Sequence, residues 1–193
     1  MPIARRDALI LFGGLLASPL AAEAAGAVSQ NAVTAAAFGF DRADGTRLAL
    51  ADLAGKPILV VNTATACGYA PQFAGLQQLW TRFGSRGLTV IAVPSGDFGH
   101  QEPLDGQAIV EAARNNHGVT FPVVAKTSVI GPNAHPFYRW AAGERPGETP
   151  RWNFHKYLVG RDGHLSGAFA TPVEPTDPRI ITAIARELDP QAG

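Results

Sequence analysis

Two runs constrain this chain more than anything else in it: KPILVVNTA over residues 56–64 and LTVIAVPS over residues 88–95. Each is a nearly continuous series of apolar, largely β-branched residues, which suits a strand covered on both faces. Between them Phe73, Leu76, Trp80 and Phe83 recur at helical spacing, and Gly84 or Gly87 can end that helix. Two buried strands joined through a helix form a parallel β-α-β unit, which needs a sheet with helices packed on it.

The rest of the chain extends this pattern. AFGFDRADGTRLALADL over residues 37–53 reads as two short strands about an Asp44-Gly45 turn. Asp105 is placed to cap a helix carrying Ile109, Val110 and Ala113, which stops near Gly118. VTFPVVA, residues 119–125, is extended, and Pro122 puts it at an edge or a bend. HPFYRWAAGE is a short helix, and residues 153–169 form a hairpin about Asp162-Gly163. The last helix opens at Asp177-Pro178 and buries Ile181, Ile184 and Leu188. The order predicts an α/β sandwich, a mixed central sheet flanked by helices, compatible with a thioredoxin-like arrangement.

The first residues stand apart. Arg5 and Arg6 precede an apolar run from Ala8 to about Ala22, and Ala22-Glu23-Ala24 fits a small-residue cleavage site. That is the layout of a secretory signal peptide over residues 1–24, leaving one domain over 25–193. The run is shorter than the roughly 18–20 residues of a membrane span, which disfavours a retained anchor. The arginine pair suits twin-arginine export, and a basic start serves the general route equally. A periplasmic or secreted protein is expected. The 193-residue chain carries 16 basic and 16 acidic side chains, and losing the leader keeps that balance. Nothing in it points to a nucleic-acid partner or to stable membrane association.

An exported chain with a single cysteine is unusual, because such proteins carry paired cysteines or none. Cys67 lies in NTATACGYAPQ, where the first buried strand turns toward the helix. Side chains at that end of a strand line the usual crevice of an open α/β sheet. Unpaired N–H groups and the positive end of the helix dipole favour the thiolate there, the form that attacks electrophiles. The competing reading is a small buried hydrophobe. One cysteine excludes an internal disulfide, and His100, His117, His135, His155 and His164 are too scattered to suggest a metal site.

Two further stretches carry polar groups suited to serve a thiolate. PSGDFGHQEP, residues 94–103, follows the second buried strand and starts at the same sheet end as Cys67; Gln101 there offers an amide donor. RWNF, residues 151–154, offers the Trp152 indole N–H and the Asn153 amide. Neighbours on a regular strand point to opposite faces, so both reach one atom only from a bend or loop. Solvated turn and core packing are the plain alternatives for Gln101 and Trp152.

Together NTATACGYAPQFAGLQQL, PSGDFGHQEP, GVTFP and RWNFHKYLVGRDG resemble the glutathione peroxidase family in order and approximate spacing, over about Phe38 to Leu188. The resemblance implies a thioredoxin fold and a peroxidatic cysteine, Cys67, with Gln101, Trp152 and Asn153 as its partners. It implies a thiol-dependent peroxidase that reduces hydrogen peroxide or organic hydroperoxides through a sulfenic acid, with no cofactor or metal. An external thiol, glutathione or a thioredoxin-like protein, would restore the cysteine.

Three departures from the family pattern matter. Many members carry a resolving cysteine where this chain has Ala113, so no intramolecular disulfide can form and the reductant must be external. Ser95-Gly96-Asp97 replaces the family's frequent Cys-Asn-Gln, and an Asp97 carboxylate facing the thiol would work against its ionisation. Arg151 is a candidate for a glutathione carboxylate, and the short AAGERPGETP segment favours a monomer. A non-catalytic redox sensor that forms a mixed disulfide, and a binding module that has lost activity, are the competing functions.

Overall fold

The computed structural model describes residues 33–189 and Met1. The leader expected over 1–24 falls, Met1 apart, outside the described residues.

The β-α-β unit forms as its pattern requires. Strand β3 (Ile58–Thr63) runs parallel to β4 (Thr89–Pro94), and helix α1 (Gln72–Phe83) connects them. Alternate residues face opposite layers, the period-2 geometry of a strand. Leu59, Val61, Val90 and Ala92 belong to one core with Phe73, Leu76 and Leu79 of α1, and Ile58, Val60, Ile91 and Val93 to the other. Both faces being apolar is why the sequence shows runs rather than alternation.

The sheet extends by antiparallel pairing to β5 (Lys156–Val159) and then β6 (Leu165–Phe169), giving the order β4-β3-β5-β6. It is therefore mixed. Strands β1 (Gly39–Asp41) and β2 (Arg47–Ala49) form a separate two-stranded ladder closed at Asp44-Gly45, where Gly45 takes φ 81°. Helix α3 (Pro136–Glu144) packs Phe137 and Tyr138 against Phe40, Val60 and Tyr157 in the second core. Helix α4 (Pro178–Leu188) brings Ile180 and Ile184 into the first core beside α1. The result is the expected α/β sandwich with layers on both faces of a mixed sheet.

Some details differ from the sequence reading. Asp105 does not cap α2 (Gln107–His117) with its side chain; Gly106 stands at the N-cap, and the Asp105 carboxylate turns back onto the Gly106 N–H at 2.9 Å. Gly118 ends α2 at φ 68°, its N–H returning to Ala113 and Arg114. The buried stripe of α4 is Ile180 and Ile184, with Ile181 and Leu188 only partly covered. Asp177 caps this helix, accepting the Arg179 N–H at 2.9 Å, with Pro178 at its first position. Residues 122–124 join the free edge of β4 through a single Ala92–Val123 bridge, as far as a strand containing Pro122 can go.

Candidate active site

Cys67 lies in a chain of tight turns between β3 and α1, not in the helix itself. The Cys67 N–H donates to Ala64 O at 3.4 Å, Ala70 N–H to Cys67 O at 2.9 Å and Gln72 N–H to Tyr69 O at 2.9 Å. This winding turns the thiol beneath the Tyr69 N–H, which donates to Sγ at 3.4 Å. Among the described residues it is the one hydrogen bond to the sulfur. Cys67 is 5% exposed and belongs to the same buried cluster as Ala64, Phe73 and Phe154, whereas Tyr69 beside it is 38% exposed. The small-hydrophobe reading explains the packing but not the amide directed at sulfur.

The loop after β4 is fastened to the cysteine turn twice. The Ala66 N–H donates to the Gln101 carbonyl at 3.0 Å. Glu102 is buried, and its carboxylate accepts the Thr65 N–H at 2.9 Å and the Thr65 hydroxyl at 2.8 Å. His100 sits at φ 52° and Gly99 at φ 62°, so the loop folds sharply to bring Gln101 inward. Asp97 points elsewhere. Its carboxylate accepts the Val129 N–H at 2.6 Å, the Ile130 N–H at 3.2 Å and the Ser128 hydroxyl, so it organises residues 128–130.

Residues 151–154 are a bend and turn, as two neighbours serving one site require, and Phe154 adopts φ 63°. Asn62, wholly buried on β3, clamps this turn. Its side-chain amide donates to Trp152 O at 3.0 Å and its main-chain carbonyl accepts the Phe154 N–H at 2.6 Å. Trp152 is 38% exposed, so it is no core residue, and its ring meets Phe98 at 5.9 Å between centroids. Neither Asn62 nor Glu102 stands out in the sequence as a site residue. The available signal was an asparagine directly after the apolar run ILVV and an acid next to Gln101.

The structure brings Gln101, Trp152 and Asn153 together. Asn153 Nδ2 donates to Gln101 Oε1 at 3.0 Å, which leaves the Gln101 amide N–H groups as its outward donors. A Cβ at Gly99 would lie 3.4 Å from Trp152 Cη2 and 3.6 Å from Gln101 Cγ, so indole and glutamine flank the same glycine. In this arrangement the Asn153 and Gln101 side chains bond each other rather than Sγ.

Beside them opens a cavity of about 700 Å³ lined by Tyr69, Arg151, Trp152, His155, Phe169 and Val173, among others. Burial holds the His155 imidazole neutral, its pKa pushed down to about 4 with Lys156 adding to the effect. Lys156 is likewise pushed down by burial, to about 7, with the Glu174 charge opposing. Among the described residues no group of three or more His, Cys, Asp or Glu could hold a metal ion.

Comparison with known proteins now fixes the family. Residues 36–142 match the glutathione peroxidase family, more than half of the chain and inclusive of Cys67 and Gln101. The chain belongs to the glutathione peroxidase family. It is 40% identical over 149 residues to the hydroperoxy fatty acid reductase gpx1 of Synechocystis sp., spanning 72% of this chain and 88% of that one. It is 38% identical over 135 residues to the glutathione peroxidase-like peroxiredoxin gpx1 of Schizosaccharomyces pombe, spanning 68% and 85%. The crystal structure of Trgpx in apo form superposes with a TM-score of 0.66 at 31% identity, covering 81% of this chain and 97% of that one. As a glutathione peroxidase family member the chain is a thiol-dependent peroxidase with a thioredoxin-like fold, and Cys67 is its one cysteine.

Proposed function

We propose that this chain reduces hydrogen peroxide and organic hydroperoxides at Cys67, outside the cytoplasm, with an external thiol as reductant. The observation that carries the assignment to Cys67 is the Tyr69 N–H directed at the chain's sole thiol, in the turn whose Ala66 N–H holds the Gln101 main-chain carbonyl. A thiolate is stabilised by such a donor.

The Cys67 thiolate attacks the terminal oxygen of the peroxide. An S–O bond forms as the O–O bond breaks, and the departing oxygen takes a proton and leaves as water or an alcohol. Gln101, Asn153 and the Trp152 indole are the donors that meet charge developing on that oxygen. Asn153 does this partly by orientation, since it holds the glutamine carbonyl and so turns the glutamine N–H groups outward. One external thiol then condenses with the sulfenic acid, releasing water and leaving a mixed disulfide. A second thiol frees Cys67 and departs as the oxidised disulfide. The cycle balances without a cofactor. With Ala113 at the resolving position, both thiols come from outside the chain.

The cavity beside Tyr69 and Trp152, with Phe169, Pro172 and Val173 on its wall, supports an organic peroxide among the substrates. So does the similarity to the hydroperoxy fatty acid reductase of Synechocystis sp.. Glutathione or a thioredoxin-like protein is the proposed reductant, and the leader motif supports export. No helix among the described residues is long and apolar enough to cross a membrane. The short 141–150 segment supports a monomer.

Stopped-flow oxidation of the reduced mature protein tests the assignment. Hydrogen peroxide and a fatty acid hydroperoxide are each expected to oxidise Cys67 far faster than they oxidise free cysteine. Cys67→Ser is expected to be inert. A wild-type rate no faster than that of free cysteine overturns the proposal.

A further inference from the structure

Lys156 is a charge placed where charge is costly. It follows the Trp152–His155 turn on β5 and is wholly inaccessible to solvent. Its Nζ lies 2.6 Å from Gln72 Oε1, 2.6 Å from Val173 O and 3.4 Å from Thr171 O. An ammonium has three N–H donors and no acceptor, so three oxygens satisfy it fully. Its nearest carboxylate, Glu174, is bonded to Gln72 Nε2 at 3.3 Å rather than to the lysine. A methionine would fill similar volume without the desolvation cost of a cation. Packing alone therefore does not explain this residue.

The ties explain it better. Gln72 is the first residue of α1, directly after the cysteine turn, and its Nε2 donates to Thr171 O at 2.8 Å. Thr171 Oγ1 donates in turn to Asn153 O at 2.7 Å. Thr171, Pro172 and Val173 form the cavity wall facing Tyr69 and Trp152. One buried ammonium thus joins the start of α1, the wall of the cavity and, through Thr171, the main chain of Asn153.

We propose that Lys156 is a positioning residue of the Cys67 site, its caged ammonium fastening the entrance of α1 to the Thr171–Val173 wall. The Cys67 turn and Asn153 are thereby held in the arrangement that reacts. The inference rests on Cys67 being the reacting thiol. It assigns Lys156 no contact with the peroxide.

The test pairs Lys156→Met with Thr171→Val, which removes the hydroxyl bond to Asn153 but keeps the carbonyl that Lys156 uses. Three quantities are measured: Cys67 oxidation by hydrogen peroxide, Cys67 alkylation by iodoacetamide, and the melting temperature. A structural lysine would lose rate and melting temperature together. A positioning lysine held at a cost gives a Lys156→Met protein that melts no lower than wild type at about pH 6. Its Cys67 reacts at least ~10-fold more slowly with both reagents, because small misplacements of reacting groups carry large rate penalties. Thr171→Val is expected to slow peroxide oxidation several-fold with its melting temperature kept. Should Lys156→Met fail to fold, a slow, stable Thr171→Val protein upholds the proposal. Rates within about twofold of wild type in every folded variant overturn it, as does a Lys156→Met protein that loses rate and stability together while Thr171→Val reacts normally. A wild-type Cys67 that alkylates readily yet ignores peroxide defeats the proposed function instead, and Lys156 is then judged on alkylation alone.

Discussion

The amide of Asn153 has two tasks, and substitution separates them. It donates to Gln101 Oε1, and it stands in the turn that Asn62 clamps through the neighbouring Trp152 carbonyl. Asn153→Ala keeps the turn, because the Asn62 bonds reach the main chain, but releases the glutamine amide to rotate. Peroxide oxidation of Cys67 is expected to fall by about 10²-fold, the usual scale for losing one preorganised donor, with the far-ultraviolet spectrum unchanged. An unchanged stopped-flow rate would remove Asn153 from the site. At this scale the sequence was partly legible. Cys67 was conspicuous because it is alone, and Trp152 and Asn153 because they set two N–H donors side by side just before a strand. Asn62, Glu102 and Lys156 were not, since a polar residue inside an apolar run gives no hint of which distant carbonyl or amide it will meet.

Elements were the most legible level. Strands buried on both faces announce themselves as β-branched runs, and helix ends by glycine and proline. Gly118 illustrates the physics: it ends α2 in the left-handed region, with nothing within 4 Å of where a Cβ would stand. Gly118→Ala therefore costs backbone strain alone, about 1–2 kcal/mol. A lower urea midpoint with an unaltered peroxide rate is the expected result, and equal midpoints would contradict it. The misread elements share a cause. Asp105 has the composition of a cap, but its side chain closes onto Gly106 and joins the Lys126 ammonium at 3.4 Å. In α4, Ile184 is buried as expected but Ile180 takes the place of Ile181, because burial depends on how the helix rolls against the core, which its own periodicity leaves open.

At the scale of the whole molecule, buried bases make stability depend on pH. Lys156 titrates at about 7 when folded against 10.5 as its ordinary value, and His155 at about 4 against 6.5. In both intervals the unfolded chain holds the proton that the folded one has released, so stability rises with pH. Glu174 opposes the shift of Lys156, and the Lys156 charge adds to that of His155. The urea midpoint should climb from about pH 4 to 6.5 and again from about pH 7 to 10.5, and Lys156→Met should flatten the second climb; a wild-type midpoint falling through that second range would contradict the assignment. A second consequence follows from Ala113. Without added thiol, peroxide should convert Cys67 to the sulfenic and then the sulfinic acid, with no intramolecular disulfide. Mass spectrometry should show oxygen gained one atom at a time, and returned by thiol only at the first stage.

By itself the sequence determined the layered α/β architecture, the single cysteine and, with it, the absence of any internal disulfide. Those depend on local periodicity and on counting, both of which are written along the chain. Tertiary structure decided what touches what: that Asp97 serves residues 128–130, that Asn153 orients Gln101, and that a buried lysine reaches partners 15 to 84 positions away. Hydrogen bonds act over about 3 Å whatever the separation in sequence, so their partners exist only once the sheet has brought the loops together.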